Sequence, residues 1–328
     1  ATLFTPRPAK WYVPRSNVGN TGADYYFAEN PTFGAVFTVH MSKEYLTSQA
    51  QRKAAEKKLS ATADVPFPGW DTLDAEAIET PAKLLLMIKD VEGNLIRTVS
   101  TAPKKGSQRV AWDLRHANPY PVSANGRELD AEGPMATPGR YMASISLEKE
   151  GLITLLDGPV AFEVNPIRKG VLEGVSYGEF NTYFESVKTL VNEAAAYEDA
   201  LSMSAKKLKG FEEALYRTST DPQAILTLIT EAKATLTALE KQIEGSPSKS
   251  IVGERNPASW GDHLGVALRG ISTTYGPTPL HKQSLSIAAS MLGKMKADIQ
   301  ALSDHIIPTI ETALKKAGAP YIEGQGLK

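Results

Sequence analysis

Cysteine is absent from all 328 residues, which removes disulfides, thiolate metal sites and cysteine nucleophiles from consideration. That absence suits a cytosolic chain and an exported bacterial one equally. No sign of charge dominates either. Lys and Arg number 36 against 37 Asp and Glu, for a formal net charge of −1, without the basic footprint of a nucleic-acid binder. No apolar run approaches the roughly 18 residues that a membrane-spanning helix needs. His40, His116, His263, His281 and His305 are scattered, with no HExxH and no paired metal spacing. Surface or capping roles suit them better than zinc or base roles. No GxSxG elbow is present, so a serine hydrolase has no support. The chain opens at Ala1, without an initiator Met. It is expected to be a processed or truncated product that has lost any targeting segment.

What is present divides in two. The length suffices for about two or three domains, and 42 % of residues are hydrophobic, enough for sizeable cores. Before Pro166, Val, Ile, Tyr, Trp, Gly and Pro are common; after it, Ala, Leu, Lys and Glu dominate. This pattern predicts an α+β chain of separate domains. An extended segment covers 1–22, an antiparallel β-sandwich 23–165 with a helical insertion at 42–80, and a three- or four-helix bundle 166–328.

Within the first half, LFTPRPAKWYVPR is too rich in Pro to sit inside a sheet. The runs Ala23–Glu29 and Phe33–Met41 follow, the second alternating with period two. Ser42–Leu59 is charged, Ala-rich and free of Gly and Pro, which predicts a helix capped by Ser42. A short helix is expected at Leu73–Ile78. Strands are predicted at Ala82–Lys89, Leu95–Ser100, Arg109–Leu114 and Arg140–Leu147. A last pair, Leu152–Leu155 and Val160–Val164, flanks Asp157-Gly158-Pro159. Alternation places Trp112, Tyr141, Ile145, Leu85, Met87 and Ile96 in the core. Asp113 and Arg115 then fall on the other side, to pair or to bond a loop.

In the second half, Phe180, Phe184, Val187, Leu190 and Val191 form a helical stripe that Leu201, Leu208 and Leu215 continue. One helix is expected at Tyr177–Tyr216, a second at Pro222–Glu244 and a shorter one at Trp260–Arg269. The last runs from Leu280 to Lys316, kinked or restarted at Pro308.

Several segments together resemble a family. LFTPRPAKW, FGAVFTV, QRKAAEKKL, VPFPGWDTL, KDVEGNLIRTVS, RVAWDLRH, GPMATPGRYM, YGPTPLH and AGAPYIEG follow one another in the order seen in bacterial sortilin-like β-propeller proteins. WDLR followed by ATPGRY is the most specific part. The resemblance is to the region after the propeller and covers essentially the whole chain. It implies an immunoglobulin- or fibronectin-like sandwich and a helical tail, with LFTPRP as the exit from the last propeller blade. It further implies a location in the periplasm or on the outer cell surface of a bacterium. The partner would be the chain's own propeller or another cell-envelope protein. Propeller repeats of that family carry Asp-box motifs of the S-x-D-x-G-x-T-W kind, and none occurs here. The family's hydrolase label belongs to the propeller, so no catalytic residue and no cofactor is carried over.

The candidate residues therefore concern binding. Trp70 with Asp71, Asp74, Glu76 and Glu79 matches the aromatic and paired carboxylates of a glycosidase cleft, or else a solvated helix with an acidic first turn. Trp260, Asp262, His263 and Arg269 make Gly253–Gly276 the most polar and aromatic stretch of the second half. That stretch is either a small-molecule pocket or a connector. Trp11, Tyr12, Tyr25, Tyr26 and Tyr120 are available as stacking rings for a sugar. The leading expectation is a non-catalytic binding or scaffolding module. Part of a glycoside hydrolase and a carbohydrate-binding sandwich are the alternatives.

Overall fold

The computed structural model describes residues 1–14, 30–59, 64–122, 133–168 and 173–325. The expected strand Ala23–Glu29, with Tyr25 and Tyr26, lies outside them. The architecture is mixed α and β. Internal contacts divide the chain into two compact units, Ala1–Asn118 with Glu132–Val171 and Pro119–Ala131 with Leu172–Lys328.

The strands of the first unit are β1 (Thr2–Leu3), β2 (Ala9–Trp11), β3 (Ala35–Met41), β4 (Lys83–Lys89), β5 (Leu95–Thr101), β6 (Gly106–Trp112), β7 (Gly139–Lys149) and β8 (Leu152–Pro166). They form a three-stranded sheet in the order β1-β3-β6 and a five-stranded sheet in the order β2-β8-β7-β4-β5. One core joins the two sheets. Phe37 and Val39 of β3 and Val110 and Trp112 of β6 meet Leu84, Leu86 and Ile88 of β4, Tyr141 and Ile145 of β7, and Phe162 of β8. Its centre is aromatic. Phe162 stands edge-on to Phe37 at 5.1 Å and to Trp112 at 6.1 Å, and Trp112 meets Tyr141 at 5.2 Å. Such edge-to-face contacts add to the burial of large rings.

The WDLR segment closes this core as a turn. The Trp112 indole N–H donates to the Arg115 carbonyl at 2.8 Å, and the Arg115 backbone N–H donates to Asp113 Oδ1 at 3.0 Å. Arg115 Nη1 donates to the Gly133 carbonyl at 2.9 Å, the loop bond expected for it. The strand stops at Trp112, not Leu114, because Leu114 turns into the left-handed region at φ 59°. Opposite it, Gly34 has φ 103°, and a β-carbon there would lie 1.9 Å from the Trp112 carbonyl oxygen. No side chain fits between these backbones.

Several other expectations are corrected. The segment expected as a linker supplies β1 and β2, at one edge of each sheet. Pro6 and Pro8 lie between these short strands, where no ladder hydrogen bond is lost. β2 pairs with β8 in parallel, the one parallel pairing among the described residues. In β4 Leu85 is buried as expected, but on the opposite face from Leu84, Leu86 and Ile88, which fill the core between the sheets, and Met87 is only half-buried. Ile96 is half-buried and packs against that core. β8 runs unbroken through Asp157-Gly158-Pro159; its register against β7 shifts near Ile145 and absorbs the extra residues.

Two helices interrupt the strands: α1 (Ser48–Glu56) and α2 (Trp70–Ile78). Thr47, not Ser42, caps α1, its hydroxyl accepting from the Ala50 N–H at 3.2 Å. α2 begins at Trp70, earlier than the apolar pattern alone suggested, after Gly69 at φ 88°.

The second unit is helical. α3 (Tyr177–Leu215) spans 39 residues and starts from a Ser176 cap. α4 (Gln223–Glu244), α5 (Pro247–Ile251), α6 (Trp260–Arg269), α7 (Pro279–Ala301) and α8 (Ile307–Lys316) follow. α5 lies between the second and third expected helices, where no helix was expected. Leu201, Leu208, Phe211 and Leu215 of α3 share a core with Ile229, Leu236 and Leu239 of α4, Leu292 and Ile299 of α7, and Ile310 and Leu314 of α8. Between α7 and α8, Leu302–Ile306 is a π-helical turn. It falls where Pro308 removes the N–H that the Asp304 carbonyl would otherwise accept. Nearer the start of α3, Phe180, Tyr183, Phe184 and Val187 form a second cluster, on which Tyr120 packs. Asn192 Nδ2 donates to the Pro119 carbonyl at 3.3 Å, fastening the same short segment.

Candidate interaction surface

Of the residues singled out in the second unit, Trp260 and Asp262 serve the helix that carries them. Trp260 is buried, and its indole N–H donates to the Ala288 carbonyl at 3.0 Å, tying α6 to α7. Asp262 completes a capping box with Ser259. Its carboxylate accepts from the Ser259 backbone N–H at 2.9 Å and from the hydroxyl at 2.9 Å. These bonds, the backbone one first, hold the carboxyl below its ordinary range. His263 is half-buried one turn into α6, and Arg269 is exposed in its last turn. His281 caps α7, its Nδ1 accepting from the Thr278 N–H at 3.1 Å. His40 meets the Ser107 hydroxyl across β3 and β6 at 3.3 Å. Among the described residues no group of three or more His, Asp or Glu is placed to hold a metal.

Among the described N-terminal rings, Trp11 and Tyr12 engage different partners. Trp11 is half-buried and donates its indole N–H to the Ala136 carbonyl at 2.8 Å. Tyr12 stands edge-on to Phe33 at 5.0 Å, with an interplanar angle of 79°. Tyr120 belongs to the other unit's core.

The helical insertion is different. Its two helices are tied by charge rather than by a core. Arg52 of α1 grips Glu76 of α2 with Nε to Oε1 at 2.8 Å and Nη2 to Oε2 at 2.6 Å, and its Nη1 reaches Glu56 at 2.6 Å. Glu79 accepts from the Ser48 backbone N–H at 2.7 Å, filling an open donor at the start of α1. Glu76 is thus buried and paired, not solvated, and both it and Glu79 are committed to holding the insertion together. Asp71 and Asp74 remain exposed. On this frame Trp70 is 73 % exposed and Phe67 61 % exposed, edge-on to each other at 5.0 Å and 69°. Val65 and Ile78 are exposed nearby in sequence. Trp70 was legible as a candidate. Phe67 was missed, although FPGW carries the signal: an aromatic on each side of a Pro-Gly turn.

The charge clamp predicts an acid limb in stability. Arg52's hydrogen bonds hold the Glu76 carboxyl below its ordinary value of 4.5. A lowered native pKa contributes in full above the ordinary value and is lost as the pH falls through the lowered one. Asp157 acts in the same sense, held down by the backbone N–H groups of Leu3 and then Gly158. The melting temperature of the first unit should therefore drop below about pH 4.5. Glu76→Gln should melt lower at neutral pH and show a shallower acid limb. An unchanged limb in scans at several pH values would mean that the clamp contributes nothing.

Comparison with protein-family models, with curated proteins and with solved structures finds no match to this chain. No helix among the described residues is long and apolar enough to cross a membrane.

Proposed function

We propose that this chain is a non-catalytic binding module and that the Phe67–Trp70 knob is its contact surface. The single observation carrying this reading is the pairing of a rigid frame with exposed rings. Exposed Trp70 opens α2, which a bidentate Arg52–Glu76 pair fixes to α1, and exposed Phe67 lies in the segment just before it, edge-on to Trp70. Large rings held in water are a cost that a partner's surface relieves, and aromatic residues are enriched at interface centres. The resemblance to the C-terminal region of sortilin-like propeller proteins supplies the partner class: the propeller itself or another cell-envelope protein, outside the cytoplasm. In that reading the two facing sheets are an immunoglobulin-like sandwich with the helical insertion, and the second unit is the family's helical bundle.

The crossed planes of Phe67 and Trp70 fit a protein partner better than a sugar, which stacks on rings lying in one plane. Calorimetry of the chain against the propeller of such a protein tests the proposal. Binding is expected at tens of micromolar or tighter. Substituting both rings, Phe67→Ala with Trp70→Ala, should weaken it at least about tenfold, the size of one interface hot spot. The melting temperature should stay within a few degrees, since both side chains already face water. No binding at tens of micromolar, or glycoside turnover by the chain alone, would overturn the proposal.

A further inference from the structure

The edges of the two sheets are not equally protected. An open strand edge is a template for another strand, and proteins usually blunt it with charge, proline or shortness. β1 and β2 are very short, with Pro6 and Pro8 between them. β5 carries Arg97 and runs on toward Lys104 and Lys105, and β6 carries Arg109. β8 is otherwise. β2 covers it only at Val164–Pro166. From Leu152 to Leu156 its inner side pairs with β7, and no strand among the described residues lies on its outer side. That run, LITLL, holds no charge and no proline. Leu152, Ile153 and Leu155 are 71, 63 and 61 % exposed.

We propose that this edge is the pairing site of a second copy of the chain, joined strand to strand and antiparallel about a two-fold axis at Thr154. That register sets Leu152 of one copy opposite Leu156 of the other, and Ile153 opposite Leu155. Directly opposed residues share a face in an antiparallel pair. Each apolar side chain therefore meets an apolar side chain, and no like charges are opposed. The open length also fits. It is bounded at one end by the turn at Glu150 and Gly151, both at positive φ. At the other end, the Leu3 N–H donates to Asp157 Oδ2 at 2.7 Å and brings β1 against the strand. In the two-fold register the second copy's turn arrives opposite Asp157, where the open stretch ends. The surface buried is small, below the roughly 1,000 Å² of a stable interface. The dimer is accordingly a weak one, with a dissociation constant on the order of tens to hundreds of micromolar.

The missing cysteines make the test clean, because an introduced thiol is the only one in the molecule. Thr154→Cys places one on the axis, where a symmetric disulfide has the required Cα separation. Mild oxidation should convert it to a covalent dimer at least about tenfold faster than Val91→Cys, an exposed turn position away from the edge. Sedimentation of the unmodified full chain should show dimer growing with concentration. Ile153→Lys with Leu155→Lys should abolish it without shifting the melting temperature by more than a few degrees. A chain that stays monomeric at several hundred micromolar overturns the proposal. So does cross-linking no faster than the control, or undiminished association of the lysine variant.

Discussion

Trp112→Ala should lower the unfolding free energy of the strand-rich unit by about 3–5 kcal/mol, the range for large aromatic truncations in cores. Three losses combine. The ring is fully buried and touches both Tyr141 and Phe162, so its removal leaves a void between the sheets. The indole N–H to the Arg115 carbonyl holds the turn that ends β6, and its loss leaves that acceptor without its donor. The neighbouring backbone cannot collapse into the space, because Gly34 already lies against the Trp112 carbonyl. Trp112→Phe separates the terms. It keeps most of the packing and forfeits the hydrogen bond, so about 1–2 kcal/mol is expected. Urea titration with amide exchange of β3 and β6 as the readout reports on this unit alone. An unchanged midpoint for Trp112→Ala would mean that the sheets do not depend on their shared aromatic centre.

How much of this was legible in the sequence depended on whether one period had one solution. α3 was readable almost to the residue, because an apolar stripe running from Phe180 to Leu215 fits only one face of a helix. β4 was not. LLLMI is apolar at both parities, so alternation cannot choose between Leu84-Leu86-Ile88 and Leu85-Met87, and a slip of one residue exchanges the faces. The cap of α1 went to the wrong hydroxyl because Ser42 and Thr47 both precede Ala-rich sequence. Only the Ala50 N–H, and Glu79 from a different helix, decide the start. Asp157-Gly158-Pro159 had the composition of a turn, yet cross-strand pairing with β7 on both sides carries the strand through it. The site followed the same logic. Trp70 stood out as an aromatic among acids, but whether Trp70 or Trp260 would be exposed rests on long-range partners. Trp260 finds the Ala288 carbonyl; Trp70 meets Phe67 and stays exposed.

Leu3→Ala should destabilise the same unit by about 2–5 kcal/mol, although the residue sits near the start of the chain in a segment whose prolines argue against a sheet. A short edge segment tolerates change unless its backbone is buried and bonded. Here it is both. The Leu3 side chain is buried in the core shared by the sheets, and its register partner is Val39 of β3. The Leu3 N–H is held by Asp157 on β8, and the Phe4 N–H donates to the Thr38 carbonyl at 3.0 Å. β1 therefore fastens the three-stranded sheet to the five-stranded one. Truncating Leu3 removes apolar burial at that junction and leaves the two backbone bonds to hold the strand alone. Asp157→Ala tests the other half of the fastening. It should release the Leu3 N–H and raise exchange at Leu3 and Phe4 while sparing β7. Melting scans of both single variants and the double variant decide the matter. Leu3 and Asp157 are in contact, so their effects should be non-additive by at least about 0.5 kcal/mol. Strict additivity, or a melting temperature for Leu3→Ala within one degree of the unmodified chain, would mean that β1 lies on the sheet without helping to hold it.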